Sequence, residues 1–349
     1  MSSAISDPYL RVALEAGFVA VALTFALTVA IIVLRLRLRA RERRWQGFVA
    51  TWRPALLARI LDPAAQADLP PLPARDHVLF LRLWAYLQES VRGDTRQQLN
   101  EAARALGVDA TARRLLRRGA RAEKLQAALA AGYLRDAEAW DALVDLARCP
   151  DPLLAVNAAR ALVQINPLRA ANGLMPLLVV RTDWDLSRIA GFLADARHAF
   201  WLLMAKSIPL LRPHELPRTL LLAEALRLQL PDATVARLLQ PGQPPDVVQA
   251  ALRLADSLAL ADEVRRCLAH EEPGVREQAA ARMAQVARRE DVPALAALLG
   301  DPHWRVRMAA ARSLGRLPFL AGSDLQAMGA EHPEAADQLR QVLAERGLG

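Results

Sequence analysis

The side chains of this chain that could do covalent or metal chemistry are two cysteines, six histidines and a scatter of carboxylates. Their spacing assembles none of the usual sites. Cys149 and Cys267 lie far apart with no CxxC partner, so neither a disulfide framework nor a zinc site is expected, and both read as small core residues. The histidines (His77, His198, His214, His270, His303 and His332) show no HExxH or other paired spacing, and there is no Gly-rich phosphate loop or GxSxG elbow. A covalent transfer through Cys149 needs a base beside it, and no histidine is near in sequence. The expectation is no catalytic residue, no cofactor and no metal.

Two other groupings suit recognition rather than reaction. In RTDWDLSRIAGFLADARHAFWLLMAKSI (181–208), Trp184, Arg188 and Phe192 recur at spacing four, which would place them on one helical face. An aromatic and an arginine so presented are the residue types that dominate interface hot spots, so these three are candidates for binding a protein partner. Larger core side chains at an irregular segment would give the same pattern. In ARRLLRRGARAEK (112–124), Arg113, Arg117 and Arg121 recur at spacing four beside Arg114 and Arg118, with Glu123 the one acid among them. This basic stripe could meet the phosphates of an anionic ligand; a solvated helix face explains it equally. Nucleic acid is disfavoured because no aromatic interleaves with the arginines.

The elements that must position these groups are helices. Ala, Leu and Arg fill the chain, Gly occurs 16 times in 349 residues, and β-branched residues never form the alternating runs of strands. An all-α protein is expected. Near the front, AGFVAVALTFALTVAIIVL (16–34) runs 19 residues without a charge, and as a helix it would span about 28 Å, close to a bilayer core. It leads directly into RLRLRARERR, unlike a cleaved signal peptide, so it reads as one transmembrane helix.

Residues 35–44 hold Arg35, Arg37, Arg39, Arg41, Arg43 and Arg44 against Glu42, a net of +5, whereas Asp7, Arg11 and Glu15 give residues 1–34 a net of −1. The positive-inside rule then predicts a single-pass protein of a bacterial inner membrane, with residues 1–15 outside and the rest cytoplasmic. The block Arg35–Arg44 would also attract anionic lipid. An amphipathic helix is predicted over 45–61. Pro63, Pro70, Pro71 and Pro73 then read as a linker hinging the body from the membrane, giving a juxtamembrane segment of 35–75. Irregular helices are predicted over 76–138.

Beyond them the chain repeats itself. AARALVQI (158–165) nearly restates AARSLGRL (310–317), and Val306-Arg307 followed by Ala310-Ala311 mirrors Val275-Arg276 followed by Ala279-Ala280, 31 residues earlier. A period near 30 built from two short helices is the mark of a solenoid, since one pair cannot bury its apolar face alone.

The segments DPHWRVRMAAARSLGRL, EEPGVREQAAARMAQV and DPLLAVNAARALVQI resemble HEAT repeats, in particular the short bacterial kind also found in phycobilisome lyases. The resemblance implies an α-solenoid over 139–320 with C-terminal capping helices in 321–349. It also implies that Asp151, Asp301, Arg276 and Arg307 tie adjacent repeats together. The family is mostly scaffolds and adaptors, so the expected function is a non-catalytic adaptor that docks protein partners at the membrane, for an envelope (polysaccharide) or a signalling complex. The alternatives are a membrane-tethered modifying enzyme of the lyase kind and an anionic-ligand binder using the stripe at 113–121.

Overall fold

The computed structural model describes residues 8–61 and 69–347, without the side chains of 8–16 and of 60–61. Most of the predicted outer N-terminus and the first part of the Pro-rich linker, Pro63 included, therefore lie outside the described residues or side chains. The protein is helical, and no strand occurs among the described residues. The chain divides into two compact units, residues 1–134 and 135–349.

The first unit opens with α1 (Pro8–Leu61), a single helix about 80 Å long that continues through Pro54. The separate helix expected over 45–61 is thus the last part of the same helix as the apolar run. Its window of highest mean hydropathy, 2.7, has no residue buried, and the helix is long and apolar enough to cross a membrane. Phe18, Val21 and Phe25 are each more than 70% exposed.

The far end behaves differently. Trp52 and Leu56 are buried, and the Trp52 ring meets Phe80 edge-on at 5.1 Å. Arg82 lies 4.4 Å over the Trp45 ring. Arg44 ion-pairs with Asp76 and donates to the Arg75 carbonyl at 3.3 Å. These contacts correct the expected hinge: residues before the prolines are already part of the core that follows them. Phe80 and Arg82 belong to α2 (His77–Ser90) and Arg75 and Asp76 to the short turn just before it; α2 is joined by α3 (Asp94–Ala105), α4 (Val108–Arg118) and α5 (Arg121–Leu134). Gly93 and Gly107, at φ +65° and +67°, take the positive-φ backbone ahead of α3 and α4 that favours glycine. The buried Trp84 Nε1 donates to the Leu99 carbonyl at 2.9 Å.

The second unit is an α-solenoid of two helix layers. The first layer is α6 (Trp140–Ala147), α8 (Pro167–Val180), α10 (Arg197–Ser207), α12 (Asp232–Leu238), α14 (Ala261–Cys267), α16 (Val292–Ala297) and α18 (Gly322–Glu331). The second is α7 (Pro152–Ile165), α9 (Leu186–Leu193), α11 (Leu216–Ala225), α13 (Pro245–Leu252), α15 (Pro273–Val286), α17 (Trp304–Arg316) and α19 (Ala336–Glu345). Each second-layer helix packs on the next, from α7 through to α19.

Small residues make this spacing possible. Ala279 and Ala280 of α15 and Ala310 and Ala311 of α17 are fully buried, and a Cβ added at Gly315 would sit 2.2 Å from Val342 Cγ1 of α19. Helix starts are chemically marked: Asp151 Oδ1 accepts from the Leu153 and Leu154 amides at 3.0 and 3.3 Å ahead of Pro152, whose missing N–H is not needed in the first turn.

Candidate functional site

Several arginines of the second unit hold repeats together. Arg276 reaches from α15 to the turn before α17, where Nε and Nη2 donate to Asp301 at 2.7 and 3.1 Å, while Nη1 donates to the His270 and Glu271 carbonyls. Asp301 also accepts from the His303 amide at 2.8 Å. Burial raises its carboxyl, but the bonds from Arg276 and His303 outweigh it and hold the group below the usual Asp range.

Arg307 stays within its own turn, donating to the Asp301 and Pro302 carbonyls. Arg181 donates to Asp183 twice at 2.7 Å and to the Cys149 carbonyl at 2.8 Å. Arg218 closes the end of α8 and the following turn through the carbonyls of Leu178, Arg181 and Trp184. Arg265 ion-pairs with the fully buried Asp291.

Against that background, the predicted partner-binding set divides. Trp184 precedes α9 in a turn, is 1% exposed, and has its Nε1 buried without a partner. It is a core residue and shares no face with the other two; the spacing of four assumed a helix that begins only at Leu186. Arg188 is exposed and Phe192 half-buried. These two line a groove of about 330 Å³ with Asn157, Arg160, Gln164 and Asp195, between α7 and α9.

A second groove of about 330 Å³ lies between α15 and α17, with Glu277, Gln278 and Ala281 facing Met308, Arg312 and Arg316. Trp304 and Arg305 stand in its lining, with Trp304 59% exposed and the Arg305 guanidinium 5.6 Å over its ring. The two grooves occupy equivalent places in the repeat. Asn157, Arg160 and Gln164 correspond to Ala309, Arg312 and Arg316 in the aligned text AARALVQI and AARSLGRL. At these positions α7 carries Asn157, Arg160 and Gln164, and α17 carries Arg312 and Arg316.

Trp304, Arg305, Arg312 and Arg316 were not singled out by sequence. The signal was present: Trp304 stands where the two other aligned repeats carry Pro273 and Pro152, and Arg312 where α15 has Ala281.

In the first unit, Arg113, Arg114, Arg117 and Arg118 belong to α4, but Arg121 opens α5 after a break at Gly119–Ala120. The stripe is therefore not one helical face. Arg113 is half-buried and bonds Asp109 at 3.1 Å, while Arg117 and Arg118 lie in the last turn of α4, where the helix dipole itself favours cations.

Of the cysteines, Cys267 is buried, which pushes its thiol up to about 11, and Cys149 is half-buried with Sγ 3.5 Å from the Asp151 carbonyl oxygen. Among the described residues no group of three or more His, Cys, Asp or Glu is placed to hold a metal.

Residues 259–347 match the HEAT repeats family, a stretch running from α14 through α19. Among solved structures, an engineered protein is similar at 17% identity over 78% of this chain and 86% of that one, with a TM-score of 0.34. The complex of CpcE and CpcF of phycocyanin lyase from Nostoc sp. PCC7120 is similar at 16% identity over 80% of this chain and 98% of that one, with a TM-score of 0.29. Values this low carry no inference about activity. No curated protein matches the chain. What the architecture defines is a helical-repeat solenoid, similar to HEAT repeats over residues 259–347.

Proposed function

We propose that this chain is a membrane-anchored, non-catalytic adaptor. In this reading α1 sits in a bilayer and the exposed side of the second-layer helices docks a protein partner on the cytoplasmic side. The observation that carries it is the divided character of α1: its apolar window has no residue buried, yet Trp52 and Leu56 of the same unbroken helix are buried. A helix of this kind is a strut that joins a bilayer to the helices packed around it.

The arginine block at 35–44 supports the orientation with the C-terminus inside. Arg35, Arg37, Arg39, Arg41 and Arg43 are exposed to meet anionic lipid, at about 1 kcal/mol each near the surface, while Arg44 is drawn to Asp76. The docking half is supported by the HEAT-repeat match and the recurring grooves, with Arg188 and Phe192 of the original candidate set still at the surface. Burial pushes the Cys267 thiol up to about 11, which disfavours a nucleophilic thiolate at that position.

The test is a reporter fused after Gly349. A reporter active only in the cytoplasm should work there, and activity of a phosphatase that folds only outside would overturn the orientation and with it the cytoplasmic docking role.

A further inference from the structure

The α15/α17 groove gathers three arginines that are not used as the structural arginines of the second unit are. Arg276, Arg265 and Arg181 each hold a carboxylate. Arg305, Arg312 and Arg316, all on α17, have no hydrogen-bond or ion-pair partner among the described residues, and all three are exposed. Beside them stands Trp304, a large apolar side chain more than half in water. A buried Ser313 hydroxyl in the same lining has no partner either, at a place where the aligned repeat has Ala161.

The opposite wall carries Glu277 and Gln278 at one end, and Ala281 and Ala284 beyond them let a polypeptide backbone approach closely. From Arg305 to Arg316 the helix rises about 16 Å, the length of roughly five extended residues. We infer that the α15/α17 groove takes an extended acidic peptide segment of the partner, with an apolar side chain against Trp304 and carboxylates facing Arg312 and Arg316.

Charge complementarity selects this occupant. Three unpaired guanidiniums favour carboxylates, which they can grip in a bidentate fork, and the lone Glu277 across the groove sets a direction along the segment. A lipid surface would meet a projecting basic patch rather than a recessed groove with an acid in its wall. Single-stranded nucleic acid would need successive aromatics where this groove has one. The inference rests on the adaptor reading and deepens it.

The test uses the full chain in phosphatidylcholine nanodiscs and a phage-displayed library of random ten-residue peptides. Enriched sequences should carry two or more Asp or Glu around an aromatic or aliphatic residue. A synthetic copy should bind about tenfold or more weakly to the Arg312→Glu, Arg316→Glu double variant and to Trp304→Ala, and weaken as salt is raised. A copy with Lys in place of its acids should prefer the double variant.

Both arginines are exposed and unpartnered, so the thermal midpoint of the double variant should stay at the wild-type value. Enrichment of neutral or basic peptides, acidic peptides indifferent to the double variant, or binding instead to phosphatidylglycerol vesicles or an oligonucleotide would overturn the assignment. If a stoichiometric partner from detergent-solubilised membranes is retained equally by wild type and double variant, the groove assignment fails and the adaptor reading stands. If no peptide is enriched and no stoichiometric protein is retained, the adaptor reading itself fails.

Discussion

At the scale of single residues, the chain sorts its arginines by what faces them. Arg276 and Asp301 form a forked pair between consecutive repeats, with side chains only 13% and 5% exposed, so removing one member strands the other in a poorly solvated site. Asp301→Asn should destabilise the second unit by about 2–4 kcal/mol, read as a drop of several degrees in thermal midpoint. The pH dependence has a definite sign. Because the folded-state carboxyl lies below its ordinary value, its contribution is complete at neutral pH, begins to fade as the pH falls below about 3.9, and is lost once the depressed value is passed. The wild type should therefore lose more stability than Asp301→Asn on acidification through that window; equal losses would show that the pair contributes nothing. Arg305, Arg312 and Arg316 are a different population, exposed and unpaired, and their value lies in what they can meet.

At the scale of elements, the repeat works because small residues recur where helices cross. Gly315 faces Val342 of α19 so closely that a single added methyl would overlap it, and a β-branched valine has little freedom to turn away. Gly315→Ala should thus destabilise by about 1–3 kcal/mol, although in an exposed helix the same change would stabilise by up to about 1 kcal/mol. A midpoint that rises instead would contradict the close α17/α19 crossing. Much of this was legible in the text, since Val-Arg followed by Ala-Ala, repeated at 31 residues, states a packing requirement. The fate of Trp184 was not. Spacing of four implies a shared face only inside a helix, and Asp185, whose side chain accepts from the Arg188 amide at 3.0 Å, starts α9 one residue after the tryptophan. Nor was the docking of Trp52 on Phe80 legible, because a proline-rich stretch reads as an interruption in sequence yet says nothing about whether the helices on either side meet again in space.

At the scale of the whole molecule, the apolar helix α1 is built into the core of the first unit, where Trp52 meets Phe80, and the repeats form the second unit. A soluble form must respect that join. A fragment beginning at Arg75 would strip Trp52 from Phe80, remove the buried Leu56 and expose the core of the first unit, whereas one beginning at Glu42 keeps the Arg44–Asp76 ion pair and the Arg82–Trp45 contact. That second fragment makes the most direct measurement possible: the distribution of an identified, stoichiometric partner between membrane and soluble fractions, in cells making either the full chain or residues 42–349. The account predicts that the partner is recovered with the membrane beside the full chain and moves into the soluble fraction, still bound, with the fragment. A partner that stays on the membrane with the folded fragment, or that binds the full chain but not the fragment, would contradict the claim that α1 supplies the tether and the repeats supply the docking surface.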